Sequence, residues 1–239
     1  IGGLAFYSNK LTSISLPQNL TTIEKWAFYY NKLTSIDLPQ NLTTIKSWVF
    51  CSNKLTSISL PQNITTICPY AFYGNNLTSI DLPQNLTTIE RCAFANNKLT
   101  SISLPQNCTT IDPGVFHSNK LTSISLPQNC TTNGERAFWS NNLTSISFPQ
   151  NLTTIGQDAF HDNKLTSISL PNKFRTQEQI LNIFGFSLKE LDNRNKKFIK
   201  PHLLEILKDY VNYHFHDIII DYTLPSNELV QEAIESYKN

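Results

Sequence analysis

The sequence predicts a repeat solenoid followed by a small, mainly helical C-terminal region, and three observations lead to this prediction. The segment Asn-x-Leu-Thr-Ser-Ile occurs eight times between Asn9 and Ile168, each copy 22 residues after the last. Within each copy, apolar residues alternate with serines, and the periodicity stops at Pro171. A fixed period of this length indicates small units that stack on one another and bury a shared core.

The first complete unit shows what each coil is expected to form. Leu11, Ile14 and Leu16 have the L-x-x-L-x-L spacing of a leucine-rich repeat. Because serines alternate with the last two of these residues, we expect a short strand with its apolar side inward and its hydroxyls outward. Pro17 ends the strand because a proline cannot donate to the ladder. Successive strands are expected to lie parallel in a right-handed coil.

The second half of each unit is expected to turn back and close the coil. Leu20 and Ile23 return to the interior, and Ala27 and Phe28 complete the core. Stacked coils lie about 4.8 Å apart, so equivalent residues form continuous columns. The phenylalanine column is unbroken and predicts a hydrophobic spine made of Phe6, Phe28, Phe50, Phe72, Phe94, Phe116, Phe138 and Phe160.

Buried asparagines at a bend can satisfy the backbone groups of adjacent coils and form a ladder. Two asparagine columns compete for this role, one containing Asn9 and Asn31 and the other containing Asn19 and Asn41. The sequence does not choose between them.

The change of pattern after Pro171 divides the chain in two. Residues 1–171 form the predicted solenoid, with eight units and part of another at the N-terminus, and residues 172–239 form a helical cap or small domain. A cap is expected because the final coil would otherwise expose its core to water. The chain starts at Ile1 within a unit, without a methionine, so we expect a fragment of a longer protein.

Three helices are predicted in the C-terminal region. Thr176 and Gln179 form a capping box that starts the first helix. Pro201 suits the first turn of a second helix, and Ser226 can cap a third. The apolar residues of the first helix are Ile180, Leu181, Ile183 and Phe184.

The composition argues against several classes of function. With 19 basic and 18 acidic residues the net charge is +1, so no excess of charge favours nucleic acid as a partner. No apolar run reaches the roughly 18 residues of a membrane span, and no glycine-rich phosphate loop is present. The five cysteines include no C-x-x-C pair, so neither a zinc site nor a disulfide framework is predicted. Cys108 and Cys130 replace leucine or isoleucine and are expected to be buried apolar residues.

No catalytic constellation is apparent, so we predict neither an enzyme nor a cofactor or metal. His214, His216 and Asp217 form the only cluster with metal-ligand chemistry, and in a strand the two histidines would share a face. A polar stretch between two elements is the simpler interpretation of this cluster. The histidines and serines elsewhere show no arrangement for nucleophilic catalysis.

The columns that vary from unit to unit are the best candidates for a recognition surface. The residue at the Trp26 position and the residue at the Tyr29 position change freely, whereas Leu-Thr-Ser-Ile is copied almost unchanged. Large aromatics dominate binding hot spots, so the aromatic members of these columns are predicted to contact a partner. Neutral drift, or packing of rings between coils, would explain the same pattern. The candidate residues are Trp26, Tyr29, Tyr30, Trp48, Tyr70, Tyr73, His117, Trp139 and His161.

The uniform face of serine hydroxyls, which contains Ser13, Ser15 and their equivalents, is a second candidate. Such a face could contact a repeating ligand such as a glycan, or simply be solvated. A lysine column runs beside it, and an anionic partner would relieve the repulsion between its charges. A solvated edge that aids solubility is the alternative for the lysines. They are Lys10, Lys32, Lys54, Lys98, Lys120 and Lys164.

The unit Leu-Thr-Ser-Ile-x-Leu-Pro, followed by x-x-Leu-x-x-Ile-x-x-x-Ala-Phe, resembles the BspA-like leucine-rich repeats of the Treponema pallidum type. The resemblance covers residues 1–171, although the unit is one residue shorter than the usual one. It implies a surface-exposed or secreted protein, because known members are largely of that kind and several mediate adhesion. We therefore hypothesise a non-enzymatic binding or adhesion module that engages a protein, or a glycan, through one face. An intracellular or virion scaffold whose C-terminal helices dock a partner is the alternative.

Overall fold

The computed structural model describes residues 1–169, 174, 177–186 and 190. Within these residues the chain forms a stack of coils, one for each 22-residue unit, joined by short parallel strands as the sequence predicts. The strands are β1 Thr44–Ile45, β2 Thr66–Ile67, β3 Thr88–Ile89, β4 Thr110–Ile111, β5 Thr132–Asn133, β6 Ser145–Ser147, β7 Thr154–Ile155 and β8 Ser167–Ser169, and the helix α1 is Gln177–Phe184.

Strands of successive coils pair in parallel and in register with the repeat. Strands β1, β2 and β3 form one sheet, β4, β5 and β7 form a second, and β6 pairs with β8 in a third. Thr44 of β1, for example, pairs with Thr66 of β2, its equivalent in the next coil. Each sheet therefore runs along the solenoid axis and ties one coil to the next.

The position of most strands differs from the prediction. Among the described residues, the Ser-Ile-Ser segment forms a strand only in β6 and β8. The other six strands lie at the Thr-Ile position (which reads Thr-Asn in β5), where a turn was expected. Threonine and isoleucine are both β-branched and favour an extended backbone, which explains the second ladder. In β6 the orientation is as predicted, because Ile146 is buried and the serines on either side are exposed.

The core is the predicted hydrophobic spine. Each ring of the phenylalanine column from Phe28 to Phe160 is at most 1% exposed, and consecutive ring centroids lie 5.3 to 5.8 Å apart. Cys108 and Cys130 are buried in this core, as predicted, and all five cysteines are free thiols. No single coil encloses these side chains, so stability comes from the stacking of neighbours.

One of the two asparagine columns is buried, and it is the column that contains Asn31. Asn97 is typical, since its Oδ1 accepts the N–H of Leu77 at 3.1 Å and its Nδ2 donates to the carbonyl of Phe72 at 2.9 Å. Equivalent bonds recur along the stack, so the side-chain amides connect successive coils inside the core. The other column, which contains Asn19, lies on the surface.

One polar residue interrupts the isoleucine column of the core. Asn133 occupies the place that Ile111 and Ile155 hold in neighbouring coils, and it is fully buried. Neither its Oδ1 nor its Nδ2 has a hydrogen-bond partner. Burial of an unpaired amide is unfavourable, so we expect this coil to be a weak point of the stack.

The last described coil is covered by α1, the first of the predicted helices. Ile180, Ile183 and Phe184 are buried, and Phe184 stacks on Phe160 with ring centroids 5.9 Å apart. The N–H of Phe160 donates to the carbonyl of Ile183, a bond that earlier coils make to the next coil. Leu181, the other apolar residue named for this helix, is 51% exposed. The helix buries a single stripe at i, i+3 and i+4, and Leu181 lies outside it.

Gly185 ends α1 with a φ of 75°, the left-handed conformation that glycine adopts after many helices. Several predicted features lie outside the described residues: Thr176, the helices expected at Pro201 and Ser226, and the cluster of His214, His216 and Asp217. In the part of the chain that the structure describes, no helix has the length and apolarity needed to cross a membrane.

Candidate recognition surface

The candidate residues lie on one turn of each coil, whose backbone alternates between two kinds of hydrogen bond. The N–H groups of Trp26, Phe28 and Tyr30 donate to carbonyls of the next coil. Those of Ala27 and Tyr29 donate back to carbonyls of their own coil. Ala27 and Phe28 are buried by this arrangement, and the other three side chains reach the surface.

Two positions of this turn have a left-handed backbone in every described coil. Trp26 and Tyr30 have φ values of 59° and 56°, and Trp48 in the next coil has 63°. This conformation costs residues with a Cβ roughly 1 to 2 kcal/mol, so glycine is the usual choice. Glycine does occupy the Trp26 position once, at Gly114. Leucine, cysteine, arginine and aspartate adopt the same conformation at the Trp26 position in other coils, so the left-handed turn belongs to the repeat and is not specific to the aromatic residues.

Most of the predicted aromatic residues touch one another and form a stripe along the solenoid. Tyr29 meets Trp48 edge-on with ring centroids 6.0 Å apart, and Trp48 stacks on Tyr70 at 4.0 Å. Tyr70 in turn lies 5.7 Å from Tyr73. The contacts thus pass from one variable column to the other. We define the aromatic stripe as Tyr7, Tyr29, Tyr30, Trp48, Tyr70, Tyr73, His117, Trp139 and His161.

Small residues let the stripe continue beyond Tyr73. Ala95 is buried in the column of Tyr73, and the rings of Tyr73 and His117 meet across it with centroids 6.3 Å apart. Gly114 leaves room for His117, since a Cβ on Gly114 would lie 3.1 Å from His117 Cδ2. Trp139 follows at 6.1 Å from His117. The stripe is therefore continuous over a coil that lacks an aromatic residue.

The stripe ends where α1 covers the solenoid. Trp139 Nε1 donates to His161 Nδ1 at 3.3 Å. The ring of His161 lies against the backbone of Gly185, where a Cβ would fall 1.8 Å from His161 Cδ2. Gly185 is thus required both by the turn after α1 and by the close approach of His161.

The rings of the stripe differ in exposure. Tyr30 is 61% exposed and Tyr7 is 46% exposed, while the other members are partly buried by their neighbours. Trp26, the remaining predicted residue, is 40% exposed, and within residues 1–169 no ring contact joins it to the stripe. Packing of rings between coils therefore accounts for part of their burial, and a continuous aromatic surface remains open to solvent.

The sequence interpretation missed Tyr7, which stacks on Tyr29 with ring centroids 5.2 Å apart. Tyr7 precedes Tyr29 by one repeat period and so belongs to the same variable column. Alignment of the partial first unit with the complete units is the signal that identifies it.

Burial perturbs three titratable groups of the stripe. Desolvation, reinforced by the nearby Cys51 thiol, raises the pKa of Tyr29, and desolvation is also the main reason that the pKa of Tyr70 is raised. Desolvation and then the charge of Arg136 lower the pKa of His117 from its ordinary value of 6.5. These three rings are therefore neutral at pH 7, which favours contact with an apolar partner.

The chemistry of the stripe is suited to non-covalent contacts. Tyrosine and tryptophan present large apolar faces with a polar tip, and they supply much of the binding energy at protein interfaces. A metal centre would need a different set of residues. In the described ranges no group of three or more His, Cys, Asp or Glu side chains is placed to hold a metal ion.

Comparison with known families identifies the repeat. A family model for the BspA type leucine-rich repeat region matches the chain in six copies, over residues 1–119 and 65–184. Together these matches extend over more than half of the chain. No curated protein sequence matches it.

Solved structures of bacterial leucine-rich repeat proteins are similar to the described fold. A leucine-rich repeat protein from Bacteroides ovatus is 28% identical, with a TM-score of 0.63, covering 73% of this chain and 47% of that chain. A leucine rich cell surface protein from Faecalibacterium prausnitzii is 25% identical, with a TM-score of 0.54, covering 68% of this chain and 48% of that chain. The chain thus spans about half the length of these two proteins.

Proposed function

The chain belongs to the BspA type leucine-rich repeat family, and from this premise we propose that it is a non-catalytic binding module whose aromatic stripe engages a protein partner. Leucine-rich repeat proteins generally mediate protein interactions. A solenoid suits this role because its stacked coils present an extended surface.

The continuity of the stripe is the observation that carries the proposal. Its rings follow one another along the solenoid from Tyr7 to His161. The left-handed turn of the repeat brings several of them to the surface. Arg136, which is exposed in the same column as Trp48, adds a charged group of the kind found at the rim of protein interfaces.

Two finer features belong to the same proposal. We propose display at a cell surface or secretion, a role suggested by the similar cell surface protein from Faecalibacterium prausnitzii. We also propose that residues 172–239 cap the solenoid. The contact of Phe184 with Phe160 supports this, because α1 shields a ring that the next coil would otherwise cover.

A phage-displayed library of random peptides tests the proposal, since it samples protein chemistry without assuming a particular partner. Peptides are selected on the immobilised wild-type chain, and their dissociation constants are then measured for a stripe variant and a control variant. The stripe variant carries Tyr29→Ala, Trp48→Ala and Tyr70→Ala. The control variant carries three alanines on the exposed hydroxyl face, at Ser35, Ser57 and Ser79.

The selected peptides are expected to bind the control variant as tightly as the wild type and the stripe variant roughly tenfold or more weakly. If circular dichroism shows that the stripe variant does not fold, the double variant Tyr7→Ala and Tyr30→Ala replaces it, because both side chains are exposed. Peptides that bind the folded stripe variant as tightly as the wild type would overturn the proposal.

A further inference from the structure

A row of lysines follows the solenoid on a surface that the aromatic stripe does not use. Each lysine comes directly after an asparagine of the column that contains Asn9 and Asn31, and each lysine is exposed. Asparagine replaces lysine at two positions of the row, Asn76 and Asn142. We define the lysine row as Lys10, Lys32, Lys54, Lys98, Lys120 and Lys164.

The backbone fixes the spacing of the row. The N–H of Lys32 donates to the carbonyl of Leu11 at 2.9 Å, and the equivalent bond recurs at 2.9 to 3.0 Å from Lys54 through Asn142. These bonds join parallel coils, so successive positions of the row lie about 4.8 Å apart. The charges therefore form a line of regular pitch, comparable to the length of one sugar residue in an extended polysaccharide.

Among residues 1–169 no acidic side chain forms an ion pair with this line, although Asp37 and Asp81 are exposed and replace a serine of the neighbouring hydroxyl face. Within residues 1–169 the ion pairs join Arg136 to Glu135 and to Asp158, at 3.5 and 3.2 Å, and involve no member of the lysine row. Neighbouring ammonium groups therefore repel one another. An anionic chain that lies along the row would remove this repulsion.

Hydroxyl groups run beside the row. The second residue after each lysine is a threonine and the third is a serine, and in the coil of Lys32 both Thr34 and Ser35 are exposed. Hydroxyls both donate and accept hydrogen bonds. A charged row beside uncharged hydrogen-bonding rows fits a ligand chain that carries anionic groups and hydroxyls together.

We propose that the lysine row binds a linear acidic polysaccharide that lies along the solenoid axis. Its anionic groups pair with the lysines, and its sugar hydroxyls bond to the threonine and serine rows. Nucleic acid fits less well, because a strand carries one phosphate per about 3.4 Å, a denser spacing than the row provides. Nucleic-acid-binding domains also carry a clear basic excess, whereas the net charge here is +1. No stripe residue enters this proposal, so it stands independently of protein recognition.

Binding of fluorescently labelled polygalacturonate and of heparin, measured over a series of salt concentrations, tests the proposal. The row variant carries Lys98→Gln and Lys120→Gln. The matched control carries Lys25→Gln and Lys46→Gln, which remove the same charge from outside the row. The row variant is expected to bind roughly tenfold more weakly at low salt and with a shallower salt dependence, while the control stays within about twofold of the wild type.

A gain of binding provides the complementary test. Asn76→Lys closes the gap between Lys54 and Lys98 and is expected to strengthen binding and steepen its salt dependence. Binding of polygalacturonate alone supports the proposal with carboxylate as the anionic group. Binding of heparin alone, which carries carboxylates and sulfates, supports it with a requirement for sulfate. The proposal is overturned by equal losses in the row and control variants, by no gain from Asn76→Lys, or by no binding of either polymer. Tighter binding of a DNA duplex than of both polysaccharides also overturns it.

Discussion

The phenylalanine column and the aromatic stripe are neighbours on the same turn, yet they differ in nearly every physical property. Phe28 and Tyr29 are adjacent in the chain, and both belong to columns with the same period. Phe28 is fully buried and stacks on Phe50 with 5° between the ring planes. Tyr29 reaches the surface and meets Trp48 at 62°.

This difference distinguishes the residues that the fold requires from the residues that are available to contact a partner. A column inside the core keeps one residue type because stacked coils leave the same space in each unit, and protein interiors are closely packed. A column at the surface has no such constraint. The column of Tyr29 accordingly changes to Cys51, Tyr73, Ala95 and His117 in the following coils.

Removal of one ring from the spine is expected to give the largest effect. Phe94→Ala deletes a buried ring that stacks between Phe72 and Phe116, and a cavity of this kind lowers the free energy of unfolding by about 4 kcal/mol. Tyr73→Ala, in the aromatic stripe, is expected to lower it by less than about 2 kcal/mol. Urea denaturation measures both changes. Equal losses would show that the two columns do not differ in role.

The buried asparagine ladder is expected to rank second. Asn97→Ala leaves the N–H of Leu77 without a partner and removes one of the two side-chain amides that donate to the carbonyl of Phe72, which lowers the free energy of unfolding by about 3 kcal/mol. Asn107→Ala is the matched control, because Asn107 is an exposed member of the other asparagine column. Its effect is expected to stay below about 0.5 kcal/mol in the same denaturation experiment. Similar losses for the two variants would contradict the assignment of the ladder.

Repair of the interrupted isoleucine column should stabilise the chain. Asn133→Ile removes a buried amide that has no partner, and we expect the free energy of unfolding to rise by about 2 kcal/mol. The reciprocal variant Ile111→Asn places such an amide in the neighbouring coil and should lower it. Thermal unfolding of both variants checks the sign, and a loss of stability on Asn133→Ile would mean that the stack depends on this amide.

A substitution in the stripe is expected to have the smallest effect. Trp48→Gly gives up the 4.0 Å stacking on Tyr70 but relieves a backbone with a φ of 63°. The two contributions are each about 1 kcal/mol and opposite in sign, so the free energy of unfolding should change by less than about 1 kcal/mol. Val49→Gly, at the adjacent buried position, is the control and should be clearly destabilising. A comparable loss for Trp48→Gly would place the tryptophan in the core.

Most of the fold could be predicted from the sequence because each unit contacts mainly its neighbours, so one period defines the stack. The two asparagine columns have the same residue type and period, and only the direction of their side chains separates Asn31 from Asn19. The strands at the Thr-Ile position were not predicted, because a β-branched pair is compatible with a strand and with a bend. Only the hydrogen bonds distinguish the two. The exposure of Leu181 was not predictable because a short apolar run does not define which stripe of a helix is buried.

Which residues form the aromatic stripe was also largely predictable, and their role in recognition stays a prediction. Eight of the nine candidate residues belong to the aromatic stripe, and Trp26 lies beside it. The route of the contacts was not predictable, because it depends on backbone geometry. The stacking of Trp48 on Tyr70 follows from the left-handed turn, and the contact of Tyr73 with His117 depends on the small Ala95 and Gly114.

Acrylamide quenching of tryptophan fluorescence tests the central claim most directly. The three tryptophans of the chain, Trp26, Trp48 and Trp139, all lie in the aromatic stripe or beside it. A peptide selected on the wild-type chain is expected to lower the quenching constant as it saturates the protein, because it covers these rings. An unchanged quenching constant at saturating peptide would contradict the claim that the stripe is the surface where this module meets a protein partner.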